Sequence, residues 1–467
     1  LIIQVSAAQE TSFLSRVYSI LEATFKFMMY PLTVSGMMSK SARSTNRISY
    51  KNYQLLRVFP KNKRQLTQLE SLEDDAGVQF WTPLAKNHST DIIIPPNLSD
   101  DIKEFLGESG IKYTVVNKDI QKIIAQQNPK FSKIQRAELK VSHGHAVTWN
   151  RYHRYDDILQ YLDYLHNSYP NIVELLTIGK STEDRPLKVV KVSSSSTGDQ
   201  LKPAIWIDGG VHAREWISPA VSLYILKQLV ENFATYGHLV NSLDWYVMPI
   251  VNPDGYEYSH TVDRFWRKTR SVTSNREGRF FWNTESCQGV DLNRNFDFHW
   301  GEEGASDDPC RETYSGAEAF SEPEARSMAD FIMDRKDAIK VYLSLHSYSQ
   351  MWLVPWSYTK SKVKDYEDLM YVAEKAVNAL KKIHGTKYEV GSSPSLLYPT
   401  SGSSDDWAKG KAGIKYSYTV ELRDKGSYGF LLPASEINPT GRETFAAIRA
   451  VARTVIKTSN ISEIKKL

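Results

Sequence analysis

From about Ile48 onward, apolar and polar positions alternate in short blocks that predict a small folded unit. Residues 53–59 read as a strand, 63–72 as a helix and 78–83 as a second strand. Ile92, Ile93 and Ile94 before Pro95 make a third strand, residues 99–106 a helix closed by Gly107, and residues 113–116 a fourth strand. The order βαββαβ is that of a small α+β, ferredoxin-like sandwich. Residues 118–127 then look helical. Residues 130–149 carry Lys133, Arg136 and Lys140 without clear periodicity, so a linker open to a trypsin-like protease is expected there.

Beyond Tyr152 the spacing changes to strands alternating with helices, which predicts an α/β fold, a mixed sheet flanked by helices. Residues 204–207 form an apolar strand ending in Asp208, Gly209 and Gly210; Ser218 as N-cap and Pro219 at the first helical position then open a helix through Phe233. Residues 245–251 form another strand. Ser321 and Glu324 are spaced as a capping box before a helix over 325–334, which leads into a strand over 341–345. A helix over 366–382, a strand over 416–420 and a closing helix over 442–457 complete the pattern. The expected organisation is an unassigned segment 1–46 open to a targeting role, a small domain 47–128, a linker 129–149 and a large domain 150–460.

Length and composition change this picture little. A chain of 467 residues with 41% hydrophobic and 24% charged positions is ordinary globular material. The 58 basic and 54 acidic residues are interspersed, which argues against nucleic acid as a partner. Residues 1–44 lack the basic, apolar and small-residue succession of a signal peptide. The apolar run 25–34 contains Pro31, and nothing else approaches the ~20 apolar residues of a membrane span. Cys287 and Cys310 read as one disulfide or two buried thiols; the disulfide is favoured, and with it an oxidising compartment. Sequons at Asn87, Asn97 and Asn460 agree with a secreted, extracellular setting.

The chemistry gathers at strand ends. His212 and Glu215 stand three apart after the 204–207 strand, His346 follows the 341–345 strand, and Glu421 ends the 416–420 strand. Ligands of open α/β sheets collect outside the carboxyl ends of strands, so these positions can converge. Two histidines and a carboxylate leave a fourth zinc position open, as a catalytic site requires, and a further carboxylate beside it could act as a base. Each residue alone is more simply a polar group at a sheet edge; their joint placement is what counts.

The surrounding segments 212–219, 252–256, 264–270, 289–295, 346–350 and 421–424 together resemble the zinc carboxypeptidases of the A/B group. The likeness spans about residues 47–457, and the small domain resembles that family's activation segment. It implies one Zn2+ held by His212, Glu215 and His346, Glu421 as general base and Arg267 beside the developing oxyanion. It also implies Arg294 with Asn293 for a substrate's terminal carboxylate, Tyr398 as a closing tyrosine, Arg214 and Tyr348 as peripheral contacts, and Asp291 as the carboxylate that orients His212. Cys287 and Cys310 match the family's disulfide.

Aligned from Tyr398, Asp405 falls where B-type enzymes carry a pocket-floor aspartate, so release of terminal Lys or Arg is expected, although Asp406 is adjacent. Ser357 and Ser393 leave the pocket deep. The implied partners are peptides or proteins with a free C-terminus and an activating trypsin-like protease; no membrane partner is expected, and a monomer is the default. The competing readings are an A-type enzyme taking aromatic or aliphatic ends, and a non-catalytic zinc or peptide binder.

Overall fold

The computed structural model describes residues 47–74, 77–84, 88–194, 202–272 and 287–464; the segment 1–46, Asn87 and the side chain of Asn460 lie outside them. In the small domain, β1 (Gln54–Phe59), β2 (Gln79–Phe80), β3 (Thr90–Ile94) and β4 (Lys112–Asn117) form an antiparallel sheet in the order β2-β3-β1-β4. Leu56, Val58, Ile92 and Ile94 point into a core with Leu69, Ile102 and Leu106 from the helices Lys63–Glu70 and Ser99–Glu108. One residue out of phase, Leu55 and Ile93 face the other way. With Trp81, Ile120 and Ile124 they pack on Phe265, Tyr348, Phe430 and Leu431 of the large domain. The run Ile92, Ile93, Ile94 is therefore apolar throughout because both faces of β3 are covered.

Three local expectations are corrected here. The strand expected over 78–83 shrinks to Gln79–Phe80, since Pro83 has no N–H for the ladder and Trp81 turns toward the large domain. The second helix runs through Gly107 and turns out at Gly110, whose φ of +65° is left-handed. The expected linker holds a helix, Lys133–His143, started by a reciprocal capping box between Ser132 and Gln135 and stopped at Gly144. It buries none of its residues, so no apolar stripe announces it.

The large domain is built on eight strands: β5 (Val173–Lys180), β6 (Pro186–Val192), β7 (Ala204–Gly209), β8 (Asp244–Met248), β9 (Ile339–Ser347), β10 (Met351–Val354), β11 (Glu389–Ser392) and β12 (Tyr416–Leu422), ordered β11-β10-β12-β9-β7-β8-β6-β5. The pairs β8/β7, β7/β9, β9/β12 and β10/β11 are parallel, and β10/β12, β6/β8 and β5/β6 are antiparallel. Helices Tyr155–Ser168, Ile217–Val230, Tyr366–His384 and Ile437–Ile464 cover one face; Pro323–Met333 and Ser404–Gly410 cover the other. From β7 the chain steps to β8 on one side and later returns as β9 on the other. That reversal opens a crevice at the carboxyl end of β7, where such sheets bind ligands.

Ser218 does not cap its helix. The helix begins at Ile217, Pro219 is its third residue, and the Ser218 hydroxyl accepts from the N–H of Gly210 (2.8 Å). Gly210 has φ +64°, and a Cβ on Gly209 would lie 3.0 Å from the Ser218 carbonyl, so the two glycines let the helix start hard against β7. A second helix, Phe233–Ser242, follows the first after a break at Glu231 and Asn232. The capping box expected from Ser321 and Glu324 does not form either: Glu324 accepts from the N–H of Thr182 (3.0 Å) and Ser321 bonds with Asn295 and Glu322.

Candidate active site

Strand register assembles the site. In the parallel β9/β12 pair His346 lies opposite Glu421, and in β7/β9 Gly209 lies opposite Leu345. Both His346 and Glu421 sit inside their strands, one residue before the ends, rather than just past them. His212 and Glu215 come from the turn after β7. Asn252 steadies that turn: its side chain caps the helix Pro253–Thr261 and donates to the carbonyls of Val211 and Lys268.

The ligand atoms of His212, Glu215 and His346 all lie within 4.8 Å of one another. His212 Nδ1 is 2.7 Å from Glu215 Oε1, His346 Nδ1 is 3.2 Å from Glu215 Oε2, and the two Nδ1 atoms are 3.1 Å apart. Both remaining ring nitrogens are engaged. His212 Nε2 lies 3.0 Å from Asp291 Oδ1, and His346 Nε2 lies 3.0 Å from Ser344 Oγ. Ser344 donates its own proton to Asp208 Oδ1 (2.6 Å), so it accepts from His346. With Nε2 carrying the proton on each ring, two Nδ1 lone pairs and a carboxylate converge from buried side chains. Such a donor set fits one zinc ion with a coordination position to spare.

Around this cluster the charges are arranged with little slack. Asp291, fully buried, accepts from Arg267 Nη2 (2.8 Å) and Nε (3.1 Å) and from the Asn293 N–H (3.0 Å). Burial alone would raise its carboxyl, yet Arg267, Arg294 and His212 hold it well below the usual carboxylate range. Burial pushes the Glu421 carboxyl up to about 8, against the pull of His346. Arg294 spends Nε on the Gly304 carbonyl (2.7 Å) and Nη1 on the Asn293 carbonyl (3.0 Å), while Asn293 Oδ1 accepts from the Ser404 N–H (2.9 Å). Arg267, Asn293, Arg294 and Tyr398 all line the same cavity as the zinc-type cluster.

Asp405 lines that cavity together with Ser357, Ser393, Ser403 and Thr419. The Ser357 hydroxyl donates to Asp405 Oδ2 (2.9 Å). Asp406 points elsewhere, accepting from the backbone N–H groups of Ser357 (2.8 Å) and Tyr358 (3.0 Å). Burial, then the neighbouring Asp405, pushes the Asp406 carboxyl well up. The hydroxyls of Ser403 and Thr419 are buried in the cavity wall without a partner among the described residues.

Arg214 and Tyr348 lie at the mouth, and the small domain occupies both. Arg214 Nη2 donates to the Trp81 carbonyl (3.3 Å) and Tyr348 donates to Asp91 Oδ2 (2.6 Å); Arg57 holds Asp91 and reaches the Gly426 carbonyl (2.9 Å). Trp81 and Thr82 themselves line the cavity. Cys287 and Cys310 are disulfide-bonded. The sequence pattern assigns no site role to Trp81, Arg57, Asp91, Ser344 or Asp208. A tryptophan in a turn before Pro83 was the available signal for the first; Ser344 and Asp208 become visible only through strand pairing.

The zinc carboxypeptidase family matches residues 158–447, and the carboxypeptidase activation peptide matches residues 56–127. The chain is similar to carboxypeptidase B of Astacus astacus, 49% identical over 309 residues that cover 66% of this chain and 98% of that one. It is 40% identical to carboxypeptidase B2 of Homo sapiens, with 88% and 95% covered, and 39% identical to carboxypeptidase A1 of Bos taurus, with 85% and 93% covered. Among solved structures it resembles thrombin activatable fibrinolysis inhibitor, with a TM-score of 0.78, 37% identity and 87% and 100% covered. It also resembles the carboxypeptidase A of Helicoverpa armigera, with a TM-score of 0.76, 26% identity and 89% and 100% covered. Relatives of both A and B type are found, so they leave specificity open. With the converging histidines and carboxylate at the sheet's crevice and a prodomain seated over them, the chain belongs to the zinc carboxypeptidases of the A/B group, as a zymogen that carries its activation peptide.

Proposed function

We propose that the activated protein releases C-terminal Lys or Arg from peptides. The observation that carries this reading is the buried Asp405 carboxylate in the cavity lining, which the unpartnered hydroxyls of Ser403 and Thr419 share. A cationic side chain would satisfy all three; an aromatic one would strand a buried charge. Leu353 and Leu397 on the same walls suit the methylene stem of Lys or Arg.

When bound by His212, Glu215 and His346, zinc supplies Lewis-acid chemistry that makes water nucleophilic near neutral pH. Asp291 and Ser344 keep the two rings in the tautomer this requires. Glu421 takes a proton from the attacking water and hands one to the leaving amine nitrogen. Arg267, fixed by two bonds to Asp291, presents positive charge where the carbonyl oxygen becomes an anion. Arg294 and Asn293 take the terminal carboxylate, and Tyr398 closes over the bound residue. In the uncut chain the small domain holds Arg214 and Tyr348 and puts Trp81 in the mouth, which keeps substrate out. The disulfide and the exposed sequon at Asn97 support a secreted enzyme. Among the described residues no helix is long and apolar enough to cross a membrane.

The test compares kcat/KM for matched peptides ending in Lys, Arg and Phe, using linker-cut enzyme with and without a chelator. Chelator-sensitive release of Lys and Arg supports the reading; preference for Phe would sink the pocket assignment and leave the hydrolytic site standing.

A further inference from the structure

The helix Lys133–His143 joins prodomain to enzyme, and its two ends are held very differently. Before it, Asn128 exchanges hydrogen bonds with the backbone of Tyr152 (2.8 and 3.0 Å). Phe131 lies beneath the guanidinium of Arg151 (4.4 Å) and near that of Arg136 (5.5 Å), and its ring meets His153. The capping box of Ser132 and Gln135 closes the first turn. Arg136 then donates to Asp157 Oδ1 (2.9 Å), a carboxylate whose side chain is 2% exposed. Opening the chain at Lys130, Lys133 or Arg136 therefore disturbs a capping box, an aromatic clamp or the partner of a buried charge.

The far end has none of this. Lys140, Val141, Ser142, His143 and Gly144 are all exposed, with Val141 at 89%. The last turn closes through the Gly144 N–H on the Lys140 carbonyl (3.0 Å), with Gly144 at φ +73°. Burial resumes at His145, whose ring packs against Tyr161 and Tyr164 at 4.8 Å each, and at Val147 in the core. A protease needs an extended stretch, and proteolysis of folded chains follows the cost of local opening. Unwinding residues 140–144 exposes no buried side chain and leaves the hydrogen bond from Arg136 to Asp157 in place.

We infer that, within residues 128–152, the bond a trypsin-like protease hydrolyses first is Lys140–Val141, and that the Arg136–Asp157 contact is what spares the bond after Arg136. The step adds water across one amide: hydroxyl to the Lys140 carbonyl carbon, hydrogen to the Val141 nitrogen, leaving a carboxylate and a new amino terminus. This deepens the zymogen reading above and rests on it, because it names the bond whose loss separates prodomain from enzyme.

The full-length protein is digested with a low ratio of trypsin, and N-terminal sequencing of the products is followed alongside peptidase activity. The expected first new terminus in the linker is Val141. K140Q should lower the rate of first linker cutting roughly tenfold, and D157N should raise cutting after Arg136 by a similar factor, giving Ala137 as a second terminus. A first terminus at Phe131, Ile134, Ala137 or Tyr152 in the unaltered chain overturns the assignment, as does K140Q cut at the normal rate. If Val141 appears first but activity never rises, the bond assignment stands and the zymogen reading beneath it falls.

Discussion

The floor of the cleft and its lid are held by opposite kinds of contact. On the floor, the buried Asp291 carboxylate locks His212 and Arg267 by hydrogen bonds, and Asp405 and Glu421 wait with spare acceptor capacity. At the lid, Trp81 lies between Phe265, Phe430 and Tyr348, while the ion pair Arg57–Asp91, with Arg57 25% exposed, and the pair Glu73–Arg311, which crosses to the large domain, stand at the edge. A floor built from buried charge is costly to disturb and stays in place through catalysis. A lid built from aromatic packing binds firmly through area but breaks as a unit once its tether is cut. Permanence and release are thus assigned to different interactions in one molecule.

The sharpest way to break the floor alone is E421Q, which should lower kcat roughly 10^2- to 10^4-fold while zinc content, measured by metal analysis, is unchanged. On the lid, W81A removes the central ring and should cost about 3–5 kcal/mol of docking, read as new activity of the uncut chain on short peptides. Back on the floor, D405S should cut kcat/KM for Lys-ending peptides by about 10^2- to 10^3-fold and spare Phe-ending ones; an equal loss on both would mean that Asp405 shapes the fold rather than the pocket. D91N strips Arg57 and Tyr348 of an ionic acceptor and should weaken binding of the cut prodomain by about 1–2 kcal/mol, with stronger loss at low salt.

The smallest effect is a pH dependence of the lid. Asp263, on the large domain, accepts from the Tyr50 hydroxyl of the prodomain (2.6 Å), and burial raises its carboxyl from the ordinary 3.8. A raised carboxyl means that the folded protein takes up proton relative to the unfolded chain, so its contribution to stability is present in acid and is lost as pH rises above 3.8. Stability of the uncut chain should decline over that rise, and D263N should flatten the decline.

Much of this was legible beforehand. The small sandwich, the zinc-type trio, Glu421 and the disulfide rest on local signals: period-two strands, residues at strand ends and paired cysteines. Element ends were less legible, because Ser218, Ser321 and Glu324 have cap-like spacing but bind partners distant in the chain. The helix Lys133–His143 was not legible because it buries none of its residues.

Local order, by contrast, cannot say what faces what. Residue types and spacing by themselves set the two folded regions and the candidate metal ligands, because periodicity and short-range chemistry are written in neighbouring positions, and the likeness of whole segments supplied the family. Whether Asp405 or Asp406 enters the cavity was decided by the helix Ser404–Gly410, which turns one acid into the cleft and the other onto backbone N–H groups. Strand register brought Glu421 beside His346, and the outward face of β1 and β3 brought Trp81 over them. Those outcomes depend on contacts between residues far apart in the chain, and only the folded protein brings them together.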